Sequence, residues 1–158
     1  MVTFGFRMKA IKLICAITEQ SDKELSSSDK KLLAEAKKSA NAAYAPYSKF
    51  KVGSAVLLGN GKIISGNNQE NAAYPSGLCA ERVALFFASS QNPNAVIKSI
   101  AMTNVPCGAC RQAILEYETK QKSSVRIIMQ KEQNKILISE GISNLLPLAF
   151  SSKELKKV

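Results

Sequence analysis

The run SSSDKKLLAEAKKSANAAYAPYS, residues 26–48, sets apolar or small side chains at Leu32, Leu33, Ala36, Ala40 and Ala43 among lysines and acids. That spacing predicts a helix with one buried face, capped by Ser26 or a neighbouring serine and ending at Ala45-Pro46. The following stretch, FKVGSAVLLGNGKIISGNN, has two apolar, β-rich runs at 52–58 and 62–65, joined through Asn60-Gly61. Asn-Gly favours the positive φ of a tight hairpin turn, so two antiparallel strands are expected. After a polar loop, the pattern predicts a helix over 79–89, a strand in AVIKSIAMT and a helix in CGACRQAILEYETK. Strands in VRIIMQ and KILISE and a closing helix around LLPLAF complete it. The order α-β-β-α-β-α-β-β-α implies an α/β fold of three layers, a mixed sheet of about five strands between helices.

Ahead of this core, Ile11, Leu13, Cys15 and Ile17 alternate with other residues, the pattern of a weak edge strand or of an appendage packed on a neighbouring subunit. Residues 1–25 are therefore read as an N-terminal extension without assigned function, and 26–158 as a single domain. With 158 residues and no repeat, the chain can bury a core without disulfide staples. The basic start and short apolar run of the N-terminus lack a small-residue cleavage site and are too short to span a bilayer, so a cytoplasmic protein without membrane attachment is expected.

The formal charge of +10, from 22 basic and 12 acidic residues, raises nucleic acid as a partner. The lysines do not gather into a strip: those at 30, 31, 37 and 38 share one helix, and those at 153, 156 and 157 lie in a tail. No aromatic-interleaved basic stripe accompanies them, so a solvated surface is expected and nucleic acid is not.

Histidine is absent, which removes Ser-His-Asp and Cys-His nucleophiles and His-based zinc hydrolases. Four cysteines in a reducing compartment point away from structural bridges. Cys107 and Cys110 stand three apart at the start of a predicted helix, where metal binding, dithiol redox chemistry and core packing are all open. Cys79 begins another helix, and a third well-placed thiol favours zinc over a two-thiol switch. Cys15 has no partner spacing and reads as a free, partly buried thiol. Three protein ligands leave a tetrahedral zinc one open position, the mark of a catalytic site, and zinc lowers the pKa of bound water to about 7. Glu81, two residues beyond Cys79, is placed to move the proton; otherwise it is a carboxylate complementing the helix dipole.

Cys79-Ala80-Glu81 followed by Pro106-Cys107-Gly108-Ala109-Cys110 resembles the zinc nucleoside deaminase signature in its three-cysteine form. The blocks AYAPYSKFKVGSAVL, NNQENAAYPSGLCAERVAL, PCGACRQ and LLPLAF resemble those of cytidine deaminases in the same order, over most of residues 40–150. The resemblance implies one Zn²⁺ per chain on Cys79, Cys107 and Cys110, with Glu81 carrying protons from water to the pyrimidine N3 and then to the departing ammonia. It further implies that Asn68 and Glu70 bond the ribose 3′-hydroxyl, Phe50 packs on the base and the Ala80 N–H holds the pyrimidine carbonyl. Arg82 would donate to the ligand sulfurs, with Arg111 a second candidate. A homotetramer is implied too, with Phe150 reaching a neighbour's pocket; on its own, Phe150 reads equally as a core aromatic of the last helix. Tyr47 and Tyr74 could line a subunit junction or the core.

The expected reaction is hydrolytic deamination of cytidine and deoxycytidine in pyrimidine salvage. No Arg or Lys stands in NNQEN to meet a 5′-phosphate, which favours nucleoside over nucleotide. Only Asn-Val-Pro separates SIAMT from Cys107, a shorter connection than this family usually has there. Rival readings are a deaminase of another aminopyrimidine such as the blasticidin type, a polynucleotide cytosine deaminase, a closed structural zinc site and a redox protein.

Overall fold

The Ser26 hydroxyl accepts the Asp29 N–H at 3.1 Å and opens helix α1 (Ser27–Ala40), whose apolar face buries Leu32, Leu33 and Ala36. Lys30, Lys31, Lys37 and Lys38 occupy its solvated side. The computed structural model describes residues 9–155, so residues 1–8 of the predicted extension and the tail lysines 156 and 157 lie outside it. Helix α1 ends before the expected Ala45-Pro46. The Tyr44 N–H instead donates to the Asn68 carbonyl, and the Tyr44 carbonyl accepts from Glu70 N–H, so this backbone is taken up by the segment that forms the cavity wall.

Strands β2 (Gly53–Leu58) and β3 (Ile63–Asn67) form the predicted hairpin, with Gly61 at φ 83° in its turn. Helix α2 (Ala80–Gln91), strand β4 (Ile97–Met102), helix α3 (Gly108–Gln121) and strands β5 (Arg126–Glu132) and β6 (Lys135–Ser139) follow in the expected order. The sheet has six strands where five were expected, in the order β1-β6-β5-β4-β2-β3. The additional one is β1 (Thr18–Gln20), paired antiparallel with β6. It is too short and polar to show an apolar period, while the alternating residues before it, Ile11, Leu13, Cys15 and Ile17, are exposed and form no strand. Only β4 and β5 run parallel, and α3 connects them.

The two faces of the sheet bury separate clusters. Val56, Ile100, Met102, Ile127 and Met129 pack with Ala84 and Leu85 of α2 and Ile114 of α3. Ala55, Ala101, Ile128, Ile136 and Ile138 pack with Leu32, Leu33 and Ala36 of α1. This is the expected three-layer α/β arrangement. Strands covered on both sides read as continuous apolar runs, which is why RIIM of β5 shows no polar alternation. A Cβ on Gly53 would stand 2.0 Å from the Ala36 carbonyl oxygen in α1, and one on Gly66 would stand 2.5 Å from the Ala84 nitrogen in α2. Helix and hairpin therefore meet at backbone distance on both faces.

The expected closing helix is absent from LLPLAF. A 3-10 turn (Ile142–Asn144) gives way to irregular chain with Leu148 at φ 55°, and only the short α4 (Ser152–Leu155) follows. Pro147 and the left-handed Leu148 cannot continue a helix.

Candidate metal centre and active site

Cys79 is the N-cap of α2 and Cys107 the N-cap of α3, both with extended backbone, while Cys110 stands buried in the first turn of α3. Strand β3 and the 68–78 loop deliver the first; β4 and the short 103–106 connection deliver the other two. The Sγ atoms of Cys79 and Cys107 are 3.8 Å apart, and those of Cys107 and Cys110 are 3.4 Å apart. All three lie within 4.8 Å of one another. Tetrahedral thiolates at the usual Zn–S distance stand about 3.8 Å apart, so the triangle fits the ion. Cys15 lies outside this group and is exposed, where partial burial was expected, because no strand forms around it.

Crowding drives the proton affinities of Cys107 and Cys110 in opposite directions. Burial pushes Cys110 far above its ordinary value, and the Glu81 carboxyl and the neighbouring sulfurs add to it. Burial also opposes ionisation of Cys107, yet the N–H and thiol of Cys110 and the thiol of Cys79 outweigh it and bring Cys107 below its ordinary value. Cys79, Cys107 and Cys110 would hold a divalent cation as three thiolates, which would offset the cost of ionising thiols so close together. Arg82 supports this fit. One terminal nitrogen lies 3.8 Å from Cys79 Sγ and 3.5 Å from the Gly77 carbonyl, and its buried Nε has no hydrogen-bond partner among the described residues. The Cys79 sulfur is foremost in raising the guanidinium's proton affinity. Arg111 turns elsewhere: its Nε donates to Pro106 O at 3.0 Å and a terminal nitrogen to Leu145 O at 2.8 Å. Arg111, the second candidate, thus bonds carbonyls and not the sulfurs.

Glu81 is 4% exposed, and burial raises its proton affinity against the pull of its own N–H, the Cys110 thiol and Arg82. A carboxyl so placed holds and releases protons closer to neutrality than a solvated one. It faces an open cavity of about 770 Å³ that Phe50, Asn68, Glu70, Ala80, Cys79 and Cys107 also line. The Ala80 N–H belongs to the first turn of α2, where the helix offers it no acceptor. Asn68 accepts the Val52 N–H at 2.7 Å and donates to the Phe50 carbonyl at 2.9 Å. Glu70 accepts the N–H groups of Tyr47 and Ser48 at 2.9 and 3.2 Å and the Ser48 hydroxyl. That hydroxyl is foremost in holding the Glu70 carboxyl below its ordinary value.

Residues 26–125 match the family model described as the cytidine and deoxycytidylate deaminase zinc-binding region. The chain belongs to this deaminase family. A cytidine deaminase of Sporosarcina psychrophila is 41% identical over 130 residues, 79% of this chain and 93% of that protein. One from Halalkalibacterium halodurans is 37% identical over 129 residues, 78% of this chain and 95% of that one. The crystal structure of the Burkholderia pseudomallei cytidine deaminase superposes with a TM-score of 0.70 at 35% identity, covering 80% of this chain and all of that one. As a deaminase-family protein with a zinc-binding region and three convergent thiols, the chain takes Zn²⁺ as its cofactor.

Phe150 is the predicted site residue that this deaminase fold leaves apart. It is 60% exposed, does not line the cavity, and is held through its carbonyl by Gln112 Nε2 at 2.8 Å. It is no core aromatic. Tyr47 and Tyr74 line the cavity, but at 61% and 91% exposure they are not core either. Ser48 went unnoticed in the sequence although a signal was present: a serine two residues before Phe50 can accept the i+2 N–H, as it does at 3.0 Å. No helix among the described residues is long and apolar enough to cross a membrane.

Proposed function

We propose that this deaminase hydrolyses the 4-amino group of cytidine and deoxycytidine, giving uridine or deoxyuridine and ammonia. The observation that carries the reading is a buried Glu81 carboxyl beside three convergent thiols, with Glu81, Cys79 and Cys107 on the wall of one open cavity and Cys110 buried behind it. Cys79, Cys107 and Cys110 would hold Zn²⁺, which when bound supplies the Lewis acidity that activates water at neutral pH. Glu81 would take one proton from the attacking water and pass it to the pyrimidine N3, then take the remaining proton from the new C4 hydroxyl and deliver it to the departing amine, a cycle suited to its raised proton affinity. The Ala80 N–H, which has no acceptor within its own helix, would donate to the pyrimidine carbonyl, and the Phe50 ring would pack on the base.

Asn68 and Glu70 are largely engaged with the protein, yet each keeps capacity for a sugar hydroxyl. The Asn68 amide retains its second N–H, and the Glu70 carboxylate has lone pairs beyond the three contacts it accepts. The absence of Arg or Lys from 67–71 supports a nucleoside over a nucleotide. Arg82 would steady the thiolates from Cys79.

A homotetramer is the proposed assembly, with Phe150 entering a neighbour's pocket. Its support is the exposure of Phe150, Tyr47, Tyr74 and Phe87, at 60%, 61%, 91% and 53%. Thiolate metal ligands suit a reducing compartment, so pyrimidine salvage in the cytoplasm is the proposed setting.

Purified protein given cytidine should lose the ultraviolet band of the 4-aminopyrimidine and carry about one zinc per chain, as three ligands with one open position require. Glu81→Gln should keep its zinc and lose kcat by about 10²- to 10⁴-fold. Zinc-loaded wild type that turns over neither nucleoside would overturn the reading.

A further inference from the structure

The turn before β2 presents Phe50 to the cavity through a chain of hydrogen bonds that begins at Glu70. Glu70 accepts the N–H groups of Tyr47 and Ser48 at 2.9 and 3.2 Å, and the Ser48 hydroxyl donates to its other oxygen. The same hydroxyl oxygen accepts the Phe50 N–H at 3.0 Å. On the far side of Phe50, its carbonyl accepts from Asn68 Nδ2 at 2.9 Å, and Asn68 Oδ1 accepts the Val52 N–H at 2.7 Å. Both peptide groups flanking Phe50 are thus held by side chains of, or resting on, the Asn68 and Glu70 pair. Between Ser48 and Phe50 stands Lys49 at φ 60°, a left-handed conformation that side-chain-bearing residues seldom adopt. Its neighbours on both sides are fixed, and the local backbone has little preference for this shape by itself.

We propose that Ser48 is a positioning residue for substrate: its hydroxyl couples the Glu70 carboxylate to the Phe50 amide, so that the sugar-facing acid and the base-packing ring are set as one unit. This rests on the reading that Glu70 and Phe50 meet the nucleoside. The residues lie on one local turn and its facing loop, whereas the proton carrier Glu81 and the sulfurs sit at the helix starts. Loosening the turn should therefore weaken binding and leave the proton-transfer step in place. A hydroxyl that merely stabilised the turn would act on unfolding and not on binding.

The test is steady-state kinetics with cytidine on zinc-loaded wild type, Ser48→Ala, Ser48→Thr, Phe50→Ala, Glu70→Gln and the Ser48→Ala/Phe50→Ala double variant, with zinc content and Tm measured on each. Ser48→Ala should raise KM about tenfold, the size expected for losing a hydrogen bond to a charged group, with a much smaller change in kcat and unchanged zinc. Ser48→Thr keeps the hydroxyl and should return KM to near the wild-type value. In the double variant the Ser48 penalty should shrink, because the ring it positions is gone.

Raised KM in Phe50→Ala and Glu70→Gln with a wild-type KM in Ser48→Ala would overturn the coupling alone. So would a lower Tm with unchanged KM, or penalties that add fully in the double variant. Unchanged KM in both Phe50→Ala and Glu70→Gln would instead remove the substrate reading of those residues, and the coupling would fall with it.

Discussion

The starts of α2 and α3 are built alike and used differently. Each takes a cysteine as N-cap, and in each the third helical residue reaches back to it: Arg82 to Cys79 at 3.8 Å, and Cys110 to Cys107 at 3.4 Å. N-cap and N3 are also the positions that face one another in a capping box, where each side chain bonds the other residue's backbone N–H; here the two side chains themselves meet. Arg111 follows one position later, at N4. That position faces the residue before the N-cap, and Arg111 accordingly bonds the Pro106 carbonyl. One step along a helix thus separates an arginine that serves the sulfurs from one that clamps the chain. Helix α2 further carries Glu81 at N2, buried toward the cavity, where α3 carries only Ala109. In the proposed reaction the first helix start would supply one ligand, charge and proton transfer, and the second would supply two ligands and anchorage.

The largest break in this comparison should come from Cys110→Ser, which removes the N3 thiol of α3. Zinc content should fall to near zero and turnover should disappear; a zinc-replete, active variant would deny that α3 supplies two ligands. Arg82→Gln should weaken zinc binding or turnover by about 10- to 100-fold, as loss of a group that orients metal ligands commonly does. Arg111→Gln should leave kcat and zinc near wild type. It should lower Tm by about 2–4 °C for each kcal/mol, with about 1–2 kcal/mol lost from its two carbonyl bonds. Equal kinetic losses in the two arginine variants would erase the distinction between N3 and N4.

The smallest effect is a slope with pH in the metal-free protein. Burial raises the Glu81 carboxyl above its ordinary value of 4.5, so the folded chain keeps a proton that the unfolded chain has already released. Below 4.5 the group is protonated in both states; as pH rises from there through the folded value, stability falls. Urea midpoints of metal-free wild type and Glu81→Gln, compared at pH 4 and pH 8, should show the variant gaining relative stability at the higher pH. Equal differences at both would contradict a buried carboxyl.

The helix starts were legible in the sequence because their chemistry is local: Cys79, Glu81, Cys107 and Cys110 are each within one turn of a predicted N-terminus. The core strands were legible because apolar runs bounded by Asn60-Gly61 and polar loops leave little choice of period. Other features depended on distant partners. Helix α1 ends early because Asn68 and Glu70 engage the Tyr44 backbone, and no residue near Tyr44 announces that. Strand β1 exists through pairing with β6 and has no pattern of its own. Phe150 looks like core in LLPLAF because composition does not reveal that Leu148 turns left-handed and Gln112 catches the chain. The split between Arg82 and Arg111 could have been read by counting from the N-caps, since both cysteines were already expected to open helices.

The paired glycines of the hairpin have a consequence for inheritance. Gly53 lets α1 close on one face and Gly66 lets α2 close on the other, each where a methyl group would overlap main-chain atoms. Neither touches sulfur or sugar, yet even an alanine at Gly66 would press against the helix that carries Cys79 and Glu81. Surveys of natural variation or of a mutant library should find these two positions almost as invariant as the cysteines. They would be guarded by selection for what is missing there and not for anything a side chain does.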